Sequence, residues 1–207
     1  MPLQNRVDPW GRLQAVAQRG AWMGNRGVLH DRSRSIVTPW RLKRWITCVL
    51  SFRGRKREVF APNRYTELFF LDEATSLAAG HRPCAECRRG RYEQFREAWA
   101  EAHRAARLPS ADEIDLVLHR QRLAAGGAKR TWHTPLGTLP EGAFVELEGR
   151  AFLYHRRRLL PWRFSGYGEA IRVSPFSRVS VLTPKSLVGT MRTGFAPQVH
   201  SSAHDRT

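Results

Sequence analysis

The chain has 207 residues, 42% of them hydrophobic, which is enough for one sizeable domain or two small ones with a real core; seven Trp and ten Phe exclude a disordered polymer. A net charge of +17 favours polyanions such as DNA, RNA or an anionic membrane surface; the plainer alternative is a solvated basic face. No run approaches the ~18 apolar residues of a membrane span and the N-terminus lacks an apolar signal segment, so a cytoplasmic protein is expected.

The charge is unevenly spread. Residues 1–60 carry 13 Lys/Arg against 3 Asp/Glu, residues 61–150 carry 13 against 13, and residues 151–207 carry 9 against 2. A neutral middle is therefore flanked by two basic ends. Residues 1–21, with Pro2, Pro9 and Gly11, read as a basic arm with one short helical turn near Leu13 to Gln18. Gly24-Asn25-Arg26-Gly27 is turn chemistry, and Val28-Leu29 start a short strand that ends at His30. Arg41 to Phe52 is rich in β-formers, and Glu58-Val59-Phe60 reads as its return strand. Between them Arg53, Arg55, Lys56 and Arg57 form a hairpin tip, either a backbone contact for nucleic acid or a solubilising edge turn.

Tyr65 to Leu71 reads as a buried strand. It feeds a helix that Asp72 caps and Gly80 stops. Tyr92, Phe95, Trp99, Ala102 and Ala106 share one face of the next helix, Arg91 to Ala106, as core packing rather than a base-stacking platform. Ser110 and Glu113 make a capping box for a further helix that Gly126-Gly127 ends. From about Lys129 the pattern changes to short strands: Gly142 to Glu148, Ala151 to His155, Leu159 to Phe164 and Ser177 to Leu182. Lys185 to Arg192 then reads as a helix. The expected class is α+β. A zinc-knuckle module with a strand hairpin and two helices spans residues 22–128, a small β-rich unit spans 129–200, and a tail spans 201–207.

The chemistry concentrates at Gly80-His81-Arg82-Pro83-Cys84-Ala85-Glu86-Cys87-Arg88-Arg89. Cysteines two apart on one tight turn can point both thiolates at one metal ion. A redox pair or two buried core cysteines are the alternatives. With three cysteines in the chain, Cys48 is the obvious third ligand for zinc. His30 is the preferred fourth, ahead of His81, His119 and His133. Arg82, Arg88 and Arg89 join the hairpin cations as candidate phosphate contacts.

The stretch from Phe69 to Cys87, a strand, an alanine-rich helix and Gly-His-Arg-Pro-Cys-Ala-Glu-Cys, resembles the second half of the Ada-type zinc-binding domain. Gly24-Asn25 leading to His30 and then Cys48 is similar in order to variants of that family. The resemblance implies a zinc-bearing, DNA-associated module. Members that repair phosphotriesters have two cysteines close together in their first half, whereas this chain has Cys48 alone there.

Three functions compete. The leading one is a zinc-containing protein that binds nucleic acid, DNA before RNA. The second is an enzyme on DNA, by alkyl transfer to a zinc-bound Cys48 or by zinc-assisted phosphodiester hydrolysis. The third is a protein-interaction module whose basic ends dock an acidic partner.

Overall fold

A computed structural model describes residues 1–54 and 58–204. Among these residues four α-helices and two six-stranded sheets form an α+β fold. The first sheet takes β1 (Arg6–Val7), β2 (Leu13–Gln14), β3 (Trp22–Asn25), β4 (Ile46–Cys48), β5 (Leu68–Phe70) and β6 (Arg82–Pro83) in the order β2-β1-β5-β3-β4-β6. Two pairings in it are parallel, β1 with β5 and β4 with β6. The second sheet is antiparallel throughout. It comprises β7 (Trp132–Pro135), β8 (Phe144–Leu147), β9 (Arg150–His155), β10 (Arg158–Arg163), β11 (Gly166–Tyr167) and β12 (Arg178–Val181), ordered β11-β10-β9-β8-β12-β7.

The helices are α1 (Glu73–Ala78), α2 (Arg89–Ala102), α3 (Ala111–Arg122) and α4 (Lys185–Arg192). The short α1 is the hub, and all six of its residues are buried. Alanine and serine let neighbouring backbones come close on every side. Ala74 and Ala78 pack into the second sheet with Phe144, Leu153 and Leu160. Leu77 packs with Phe95, Ile114, Leu118 and Leu187 of the three longer helices. Ala79, just past the helix end, packs with Val7 and Phe70 of the first sheet and with Leu29 of the loop after β3.

The expected caps form. Asp72 Oδ1 accepts from the Thr75 backbone N–H at 2.8 Å, and Ser110 with Glu113 closes the capping box of α3. Gly80 has φ +93°, and a Cβ there would also lie 2.7 Å from the Arg122 side chain, so two separate constraints select glycine.

Several expectations change. The first residues are not a loose arm, because the Phe69 amide donates to Asn5 O at 2.8 Å and Val7 is fully buried. Leu13–Gln14 is a strand rather than a helical turn. Glu58 to Phe60 makes no return strand, and the strand expected at Val28 to His30 shrinks to a single bridge between His30 and Ile36. Residues 201–203 form a 3-10 turn with Ala203 buried against the second sheet, in place of a frayed tail. Within residues 129–200, α4 packs on α2 and α3.

Candidate metal centre and basic surface

Cys48 is the last residue of β4, and its neighbour Thr47 pairs in parallel with Pro83 of β6. The Cys84 amide donates to Thr47 O at 2.9 Å, which sets the two cysteines side by side at the ends of adjacent strands. Thr47 is itself tied to α1 by a hydrogen bond of 2.9 Å from its hydroxyl to Ser76 Oγ. After Cys84 the chain turns tightly: the Glu86 amide donates to Cys84 Sγ at 3.4 Å and the Arg88 amide to Cys84 O at 3.2 Å. This turn brings Cys87 back.

The three sulfur atoms all lie within 4.8 Å of one another. Tetrahedral zinc–thiolate bonds of about 2.3 Å put sulfurs roughly 3.8 Å apart, so the cluster is at the right scale to hold a metal ion. Cys48 and Cys84 are buried, Cys87 is half-buried, and Met23, Ile46, Tyr65 and Phe69 pack around them. Hydrogen bonds from Cys48 and Cys87 hold the Cys84 thiol far below its ordinary range. Cys48 is pushed far up by hydrogen bonding to Cys84 and Cys87. Cys87 is pulled down by Cys48 but pushed up further by Cys84 and by burial, and ends raised. Thiols this close share their hydrogen bonds, and a divalent cation bound among them would displace the protons.

His30 does not join them. Its Nδ1 is bonded to Thr66 Oγ1 at 2.7 Å, its Nε2 lies 3.3 Å from Ala61 O, and its ring stacks on Phe60 at 4.6 Å. The Gly27 carbonyl of the turn before it accepts from the Thr66 amide at 3.0 Å. Of the other candidates, His81 accepts from Arg26 Nε at 3.2 Å, His119 packs against Trp40, and His133 is exposed on β7. Among the described residues the cluster is Cys48, Cys84 and Cys87 alone.

The candidate phosphate contacts separate into three groups. Arg82 is buried and forms a bidentate pair with Asp115 of α3 at 3.0 and 2.7 Å. Arg88 is buried too, bonded to Glu73 at 2.7 Å with its guanidinium over the Trp22 ring at 4.0 Å. Both are internal cross-links, because α2 and α3 close over the knuckle and its long side chains must find acids inside. Arg89 is exposed and paired with Glu93 at 3.0 Å, and Arg53 is exposed over the Phe52 ring at 5.0 Å. Arg55, Lys56 and Arg57 lie outside the described residues.

Sequence reasoning passed over Arg41 and Arg44. Both are exposed and line a cavity of about 500 Å³ that also includes Ile46 and Tyr65, the residues packed on the cysteines. Arg32, Lys43 and Arg64 are exposed on the same run of loops. The signal available in the sequence was the cluster Arg41-Leu42-Lys43-Arg44 just before β4.

No family model, no curated protein and no solved structure matches this chain. No helix is long and apolar enough to cross a membrane among the described residues.

Proposed function

We propose that the chain is a zinc protein that binds nucleic acid, DNA in the first instance, through basic loops gathered around a thiolate-held metal. The observation that carries the reading is the convergence of Cys48 with the Cys84/Cys87 turn on one point, beside a cavity lined by Arg41 and Arg44. The likeness of the Phe69 to Cys87 stretch to the Ada-type zinc-binding domain points the same way. Zinc bound there would fasten β4 to the knuckle and keep the thiolates deprotonated. Arg41, Arg44 and Arg53 would neutralise phosphates; Arg82 and Arg88 would hold the scaffold.

The test pairs metal analysis with DNA binding. Purified protein should carry one zinc per chain, and Cys84→Ser should lose it. Affinity for duplex DNA should fall by at least an order of magnitude between about 50 and about 200 mM salt. Metal-free folded protein, or affinity indifferent to salt, overturns the proposal.

A second reading has one observation in its favour. The described ligand set stops at three cysteines, and three protein ligands leave a coordination position for water or substrate. A metal held in that way can activate a thiolate or a water. Mass spectrometry after exposure to methylated DNA tests the alkyl-transfer form, which an absence of any adduct on Cys48 rules out.

A further inference from the structure

A second site lies away from the cysteines, between the first sheet and the C-terminal end of α3. Its floor holds three cations. Arg26 is fully buried, and its Nε and Nη1 donate to His81 Nε2 at 3.2 Å and Gly11 O at 2.8 Å. Arg122 is fully buried as well and donates to Gly80 O at 2.9 Å, to Lys43 O and towards His119. The two guanidiniums lie over the Trp45 ring, 3.8 and 4.0 Å from its centroid. Lys129, brought back by the Gly126-Gly127 turn, donates to Ala78 O.

These cations are bonded to neutral carbonyls and imidazoles rather than to acids. The carboxylates that act on them are already committed. Asp8 binds the Arg12 side chain at 2.7 Å and its amide at 2.9 Å, and Asp115 is held by Arg82. Two donors remain unused: Arg26 Nη2 and Arg122 Nε are buried without a hydrogen-bond partner among the described residues. Buried, uncompensated charge with orphaned donors is expensive unless an anion completes it.

The space for such an anion exists. A cavity of about 310 Å³ is lined by Arg26, Arg122 and Lys129 at depth, and by Arg12, Trp10 and Trp40. That volume is at the lower end of the range of about 300–1,000 Å³ for small-molecule sites. Trp40 is half-buried, with its ring against His119 at 4.7 Å, and Arg12, Pro39 and Gly127 at the rim are exposed. Cations below and indoles above suit a ligand with a phosphate at one end and a flat ring at the other.

We infer that this cavity binds a phosphomonoester bearing a nucleobase: a free mononucleotide, or the phosphorylated end of a nucleic-acid strand. The phosphate seats on Arg26, Arg122 and Lys129, and the base lies against Trp40. None of the cysteines lines the cavity, so the site stands independently of the metal.

Calorimetric titration of the full chain tests this with five probes: adenosine monophosphate, adenosine, inorganic phosphate, and a short single-stranded DNA with a 5′-phosphate or a 5′-hydroxyl. Adenosine monophosphate should bind where adenosine does not, and the 5′-phosphate strand should bind at least tenfold more tightly than the 5′-hydroxyl strand, which can contact only the basic loops. Binding of the mononucleotide alone assigns the site to free nucleotides, and binding of the 5′-phosphate strand alone assigns it to strand ends; either supports the inference. Lys129→Met, which removes one of the three cations and leaves the two buried arginines in place, should weaken binding at least tenfold. Trp40→Ala should weaken the mononucleotide and spare inorganic phosphate. The inference is overturned if no phosphorylated probe binds the folded protein, if Lys129→Met changes nothing, or if inorganic phosphate binds as tightly as the mononucleotide.

Discussion

Tyr167 donates its hydroxyl to Asp72 Oδ2 at 2.6 Å, joining the second sheet to the cap of α1. Asp72 also accepts from the Thr75 amide and hydroxyl and, at 3.0 Å, from the His200 amide. Burial raises the Asp72 carboxyl above its ordinary range, and these donors work against that shift. Tyr167→Phe should therefore destabilise the chain by about 1–3 kcal/mol, the range for a hydrogen bond to a charged group. The sign with pH follows from linkage. A raised folded pKa means the native state holds its proton longer, so stability falls as pH rises through that window. Removing one donor raises the carboxyl further, and urea unfolding should show a larger deficit at neutral pH than in acid.

Gly80→Ala should be among the most damaging single-methyl additions in the chain. It forces a side chain into φ +93° and sets a Cβ at 2.7 Å from Arg122, which cannot swing away because it is bonded to the Gly80 carbonyl. A loss of about 2–4 kcal/mol is expected from strain and overpacking together, read as a drop in the urea midpoint.

A metal bound at the three cysteines, as proposed above, should contribute measurably to stability. Zinc at about 100–1,000 times its Kd adds roughly 3–4 kcal/mol. For a chain of this length that is roughly 6–16 °C in Tm. Chelation should lower the melting temperature by that amount, and Cys48→Ser should show no further response to chelator.

The arginines divide by depth into two experimental classes. Arg82→Met leaves Asp115 buried without its bidentate partner and should cost about 3–5 kcal/mol. Arg41→Gln and Arg44→Gln should leave the melting temperature nearly unchanged. Each should instead reduce the slope of log affinity for DNA against log salt by about 1.

Lys129 gives a pH signature in the absence of ligand. Burial, with Arg26 and Arg122 nearby and Asp8 opposing, lowers its pKa from 10.5 to about 7. Between those values the unfolded chain binds the proton and the native chain does not, so this group makes stability rise with pH across that window. Thermal melts of Lys129→Met should show a shallower rise than the parent over the same range.

The helices were legible because their signals are local. Asp72, the Ser110/Glu113 box and the three–four spacing of Tyr92, Phe95 and Trp99 state their elements outright. The three cysteines were legible because little else in the chain can ligate a soft metal. The N-terminal strands were not, since a two-residue strand such as Arg6–Val7 has no period to read and exists through its partner Phe69. His30 misled for a related reason: its ring is claimed by Thr66 and Phe60, contacts that depend on the fold of a later loop. Arg82 and Arg88 look like surface cations beside a metal knuckle until Asp115 and Glu73 are brought over them.

The parallel pairing of β1 with β5 has a consequence for synthesis. Arg6 can pair with Gln14 of β2 as soon as both are made, but its parallel partner Phe69 comes much later in the chain, and β5 must also align with β3 on its other edge. The β1–β2 pair is local, whereas its junction to the rest of the first sheet is a non-local parallel pairing that carries a loop-closure cost.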